Sequence, residues 1–232
     1  MKIKFGSIVT QGSGKLGGHV YAKNRGGAYV RTNATPSNPQ TAFQQFSRNL
    51  LTQFSQGWSA LTGAQRAGWN NATEFFQRTD QFGDVRKLSG KNLYTSLNKV
   101  LAEIGESPLN DAPQPEQIGE NIVESADFQL DAGVLADVVL DGRFTVGEKY
   151  QLIATPPVSQ GTSFVKNRLR VIGTFEAVSA TNLDVGSVFE AGYIPRFGLP
   201  DEGSKVFVGC YAVNSIGQRS PDAVVSTEAV SI

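Results

Sequence analysis

The chain holds one cysteine and one histidine, and its first 73 residues contain no aspartate or glutamate at all. A single cysteine excludes an internal disulfide and any all-cysteine metal site. Cys210, inside the apolar run VFVGCYAV, reads as a small core residue. A single histidine excludes His–His metal spacing, and His19 has no credible nucleophile near it in sequence to complete a serine- or cysteine-type triad. Between Gly18 and Val20 in an expected strand, it reads as an exposed or interface side chain. No apolar run reaches membrane-spanning length. Lys4 and Gly6 interrupt MKIKFGSIVT, so no secretory leader is expected and the protein is read as soluble and made in the cytoplasm. Helical repeats and low-complexity tracts are also missing.

What remains is a globular composition, 40% apolar and 18% charged over 232 residues, enough for one large domain or two modest ones. The net charge of zero hides a division. Residues 1–73 carry eight Lys or Arg, residues 74–110 carry five charges of each sign, and residues 111–232 carry sixteen acids against eight bases. A basic head on an acidic tail suggests head-to-tail stacking between copies, or a head that meets an acidic neighbour. Two domains of unlike surface composition would produce the same division.

The stretch from Gly12 to Pro39 has six glycines, the cations Lys15, Lys23, Arg25 and Arg31, the titratable His19 and no acid. LGGHVYAKN and GAYVRTN flank Arg25-Gly26-Gly27 as the arms of a β-hairpin, and residues 2–10 read as a strand before it. So few apolar side chains make this unit marginal alone, and edge pairing with a neighbouring subunit would satisfy its open backbone. Lys15, His19, Tyr21, Lys23, Arg25, Tyr29 and Arg31 are therefore the candidate subunit-contact residues.

Asn38 as N-cap and Pro39 at the first helical position start a helix whose face is Phe43, Phe46, Leu50, Phe54, Trp58 and Leu61, with Gly57 loosening its last turn. Thr62 caps a second helix bearing Trp69, Ala72 and Phe76. Ser89 caps a third with Leu93, Leu97, Val100, Leu101 and Ile104, which Gly105 ends. Residues 106–120, rich in proline and acid, read as a semi-rigid linker. Beyond it the period becomes two, with strands expected over 126–130, 134–140, 149–155, 167–175, 182–189, 205–213 and 223–230. The expected fold class is thus α+β and multidomain. It comprises a hairpin arm (1–38), a small three-helix unit (39–105), the linker (106–120) and an immunoglobulin- or fibronectin type III-like β-sandwich (121–232).

Catalytic and cofactor motifs fail on context. Gly12-Ser13-Gly14-Lys15-Leu16-Gly17 has the letters of a dinucleotide loop, but a hairpin pattern follows and no acid occurs before Glu74. Leu16 also replaces the Ser or Thr that a P-loop requires after its lysine. The acids of the β region fall mostly in turns, with no aromatic cluster around a pair to suggest a sugar cleft. The cations of the head are spread out and single on the helices, which argues against nucleic acid and for an acidic protein surface. Trp58 and Trp69, bracketing a helical turn, read as caps of a small core rather than a ligand clamp. No enzyme, cofactor or metal is expected.

The series G-K-L-G-G (14–18), N-R-G-G (24–27), P-x-N-P-x-T (36–41), Q-x-x-x-R (44–48), W-x-x-L-T-x-x-Q-R-x-x-W (58–69) and S-G-x-N-L (89–93) resembles a group of poorly characterised proteins of tailed bacteriophages, crAss-like phages among them, and of prophage-like bacterial genes. The resemblance covers about the first 105 residues. It implies a virion structural protein: a homo-oligomeric neck- or tail-ring subunit or a head-decorating one, with other copies and neighbouring virion proteins as partners and the virion as location. It supplies no catalytic residue. The alternative is an adhesion module whose sandwich binds carbohydrate or a host surface.

Overall fold

Glycines at the turns let the opening of the chain fold back on itself twice. β1 (Gly14–Leu16), β2 (His19–Asn24) and β3 (Gly27–Thr32) form an antiparallel sheet in that order. Asn24 Oδ1 accepts the Gly26 N–H at 2.8 Å across the tip, and Gly27 takes a φ of +102°, open to glycine. The letters of the dinucleotide loop are thus a strand and a tight turn, with no helix opening from them. Of the strand expected over 2–10, the described residues 2–6 show a bridge between Lys2 and Tyr29, flanked by bonds from Val30 N–H to the Met1 carbonyl (2.8 Å) and from Ile3 N–H to the Ala28 carbonyl (3.0 Å). Its residues 7–10 lie outside those the structure describes. The computed structural model describes residues 1–6, 11–35, 37–80, 82–86, 88–131 and 134–231, which divide into two compact units, Met1–Leu93 and Tyr94–Ile232.

α1 (Ala42–Ala60) starts later than Asn38–Pro39. Gln40 sits at φ +50°, which breaks the helical path, so Thr41 becomes the N-cap and accepts the Gln44 N–H at 3.4 Å. Asn38 instead accepts a hydrogen bond from the Arg48 guanidinium at 2.7 Å. The helix runs unbroken through Gly57. Thr62 and Gln65 form a reciprocal capping box at the start of α2 (Gly63–Ala72), as the spacing of the two residues requires. A two-strand turn not anticipated from sequence follows, β4 (Arg78–Thr79) with β5 (Val85–Arg86).

α3 (Gly90–Glu103) begins at Ser89, whose Oγ accepts the Asn92 N–H, and closes where Gly105, at φ +76°, lets Glu106 N–H reach the Leu101 carbonyl at 2.8 Å. The boundary between the units falls within the helix, and Leu101 and Ile104 pack with Ile153, Tyr211 and Val213 of the second unit. Buried Asn98 is satisfied by the Tyr94 and Leu109 backbone, and Glu116, Gly119 and Glu120 are hydrogen-bonded to Gln218, Glu148 and Thr145. The proline-rich stretch is therefore fastened down.

The second unit is one curled sheet of β6 (Asn121–Asp131), β7 (Val134–Phe144), β8 (Lys149–Ala154), β9 (Arg170–Glu176), β10 (Asn182–Asp184), β11 (Lys205–Val213) and β12 (Ala223–Ser231), in the order β10-β7-β6-β12-β11-β8-β9. All pairs are antiparallel except β12 with β6. Alternating side chains from both halves, among them Phe128, Leu140, Leu152, Val208 and Leu183, fill one core. Six of the seven expected strands appear, although β6 starts five residues before the expected 126–130 and β7 runs four residues past the expected 134–140. The seventh, 182–189, is a strand only to Asp184 and then becomes α4 (Gly186–Phe197). Phe189, Tyr193 and Phe197, four apart, put a stack of rings into the core, with centroids 4.2 and 5.0 Å apart. That burial outweighs the local alternation of Leu183, Val185 and Ser187. Gly192 permits the approach: a Cβ there would lie 2.2 Å from the Ile172 carbonyl oxygen on β9.

Candidate functional site

Strand register assigns the candidate contact residues to faces. Directly opposed residues share a face of a sheet. His19, Tyr21 and Lys23 therefore lie on one face of the hairpin with Leu16 and Val30, whereas Lys15, Tyr29 and Arg31 lie on the other with Val20, and Arg25 is in the turn. The seven are in one sheet but not on one surface. Tyr21 and Tyr29 are half-buried, and the other five are exposed. The side chains of Lys15, Lys23, Arg25 and Arg31 have no hydrogen-bond or ion-pair partner among the described residues. No described residue before Leu50 is buried, and Leu16 is 70% exposed.

Sequence reasoning missed the surface that holds the first residues in place. The Lys2 ammonium lies 2.8 Å from Asp80 and that of Lys4 lies 2.7 Å from Asp84. Asp80 also accepts the Phe82 and Asp84 N–H groups, so the Lys2 ammonium first and these amides next hold its carboxyl below the usual carboxylate range. The spacing of D-x-x-G-D was the available signal, since it suits an Asx-type turn. A cleft of about 400 Å³ opens beside it, lined by Lys2, Arg25, Asp80, Asp84, Arg86 and Ser89. Arg25 and Arg86 line it, and neither has a carboxylate partner among the described residues. Chemically it suits a carboxylate better than a metal ion.

In the second unit the outward side chains of β6, β7 and β10 include Asp127, Asp131, Asp137, Asp141 and Asp184. The face carries one cation, Arg143, at 3.9 Å from the Glu124 carboxylate. Asp141 accepts from Ser125 Oγ and Asn182 Nδ2, and Asp184 accepts the Gly186 N–H. Partial burial, then the neighbouring Asp184 charge, pushes the Asp137 carboxyl above its usual range.

A shallower groove of about 520 Å³ is lined by Phe164, Val165, Lys166, Leu169, Arg219 and Val224. Phe164 is 71% exposed above it, and the Arg219 guanidinium stacks 4.4 Å from the Tyr211 ring. Cys210 is buried in the core, where desolvation pushes its thiol up to about 12, so it is chemically inert. The Tyr193 hydroxyl is buried without a partner among the described residues, and desolvation raises it far above the ordinary tyrosine range. Trp69 is wholly buried. Among the described residues no three His, Cys, Asp or Glu side chains cluster as a metal set, and no helix is long and apolar enough to cross a membrane.

No protein-family model matches the chain, and no curated protein matches it. Among solved structures, the chain is similar to the crystal structure of a beta-1,2-glucanase from Parabacteroides distasonis, at 12% identity and a TM-score of 0.32. The match covers 53% of this chain and only 14% of that one.

Proposed function

We propose that the chain is a structural subunit of a bacteriophage particle, present in many symmetric copies in a neck or tail ring or on the head, and docked through its N-terminal hairpin and helices. One observation carries the reading: a well-formed sheet with four unpartnered cations and no buried side chain. Such a sheet has apolar and charged surface still to satisfy. Its sequence motifs are those that resemble phage virion proteins. The strand order supports reading the second unit as an immunoglobulin- or fibronectin III-like sandwich, β10-β7-β6 against β12-β11-β8-β9, with α4 as an insertion. The role is non-enzymatic. The test is electron microscopy of the full chain, and of the same chain with Lys15, Lys23, Arg25 and Arg31 replaced by Glu. Closed rings or particle decoration by the first, and dispersed subunits of the second, are expected. Equal assembly of both would end the reading.

Phe164 and the two cations beside it favour a second reading, in which the sheet unit is an adhesion module for carbohydrate or a host surface. Glycan-array binding that is lost in Phe164→Ala would support it.

A further inference from the structure

We propose that the outward face of β6, β7 and β10 is the seat for the β1–β3 hairpin of the next copy of the chain. The inference rests on the assembly reading above and names the surface that receives the arm.

Two rows of side chains match. In the hairpin, Lys15 lies opposite Val20 and Val20 opposite Arg31, so two cations flank a valine across three strands. In the sheet unit, Asp127 lies opposite Val139 and Val139 opposite Asp184, so two carboxylates flank a valine across three strands. Adjacent strands are ~4.8 Å apart, which puts the outer pair of each row ~10 Å apart and the two rows in step. Val20 and Val139 are half-buried while the four charged residues are exposed. Face-to-face docking would therefore cover apolar surface at the centre and pair charge at both flanks.

The wider charge pattern agrees. Residues 1–93 carry twelve Lys or Arg against three acids, and residues 94–232 carry nine against eighteen, so the units are about +9 and −9. A symmetric hairpin-to-hairpin contact would set cation on cation, as a sheet-to-sheet contact would set acid on acid. The complementary contact is heterologous, and repeated heterologous contacts build rings or filaments. The Asp137–Asp184 pair sits at the edge of the same row, where like charges already crowd one another. A cation arriving from outside relieves that crowding.

Sedimentation velocity of the full chain over a range of concentrations tests this with two double variants, Lys15→Glu with Arg31→Glu, and Asp127→Lys with Asp184→Lys. Each alone is expected to raise the apparent self-association constant Kd about tenfold or more, and an equimolar mixture of the two is expected to associate again. In 1 M salt, where the Debye length is ~3 Å, wild-type association should weaken. Because Asp184 holds the Gly186 N–H, Asp127→Lys alone serves as the milder control for folding. If the hairpin variant loses association while both acidic-face variants keep it, the arm docks but not on this face, and the inference alone falls. A wild-type chain that stays monomeric at every concentration overturns both it and the assembly reading. Association that requires a divalent cation and ignores the charge swap assigns the carboxylates to a metal instead, and also overturns the inference.

Discussion

The hairpin and the large sheet are both mainly antiparallel ladders of valine, tyrosine and small residues, yet they end in opposite relations to water. In β8, Tyr150 and Leu152 are wholly buried; in β2, Val20 and Tyr21 are only half-buried. Strand propensity and turn glycines are enough to specify the backbone in both places. Burial needs a second layer, which the large sheet makes by curling over its own core, whereas no residue of the hairpin strands is fully buried. A buried leucine- or phenylalanine-sized side chain stabilises by roughly 1.5–3 kcal/mol, so nearly all such gain in the strands lies in the second unit.

The largest effect that would break this contrast is a core truncation. Phe128 is buried with its ring edge-on to Phe189, centroids 5.2 Å apart. Phe128→Ala should destabilise the second unit by about 3–5 kcal/mol, read from urea unfolding followed by circular dichroism. The matching change in the hairpin, Val20→Ala, should cost about 1 kcal/mol or less, because Val20 is only half-buried. A comparable loss for Val20→Ala would mean that the hairpin has a core of its own.

A smaller effect sharpens the contrast inside the first unit. Thr62→Ala removes one half of the α2 capping box and should cost about 1 kcal/mol. Both tryptophans, Trp58 and Trp69, belong to this unit. Their fluorescence therefore follows its unfolding separately from that of the sheet unit. The tryptophan transition should move to lower urea, and the tyrosine near-ultraviolet signal of the second unit, which holds no tryptophan, should not.

Which parts could be read from residues alone follows from the range of the forces involved. The caps at Thr62 and Ser89, the glycine stop at Gly105 and the tip at Arg25-Gly26 are local, set within four or five residues, and they lie where spacing put them. Long alternating runs such as 205–213 were equally plain. α4 was not, because its rings gain stability from the sheet they pack on, Phe128 of β6 included, while its first residues alternate like a strand. Nor did spacing reveal that α3 gives its last turns to the sheet, since an apolar stripe does not name what covers it. The acidic face needed register as well as composition: Asp127 and Asp184 are 57 positions apart and meet only through Val139. The same holds for the split of the seven hairpin residues between two faces.

The smallest expected effect concerns that face and varies with pH. Burial and the Asp184 carboxyl hold Asp137 above the usual carboxylate range in the folded chain, so folding favours its protonated form. The sign follows from linkage: this stabilisation is fully present below the ordinary carboxylate pKa and is lost as pH rises through the raised value. At neutral pH the ionised group therefore opposes folding. Asp137→Asn keeps an oxygen for the Val138 N–H, which Asp137 Oδ1 accepts at 2.8 Å, while removing the charge. The variant should be slightly more stable than wild type at pH 7, with the advantage shrinking as pH is lowered toward 3. Urea midpoints of the second unit across that range measure it. A variant less stable at pH 7 would show that the carboxylate is held by cationic partners within its own chain, and the acidic face would then have no unmet charge to offer another copy.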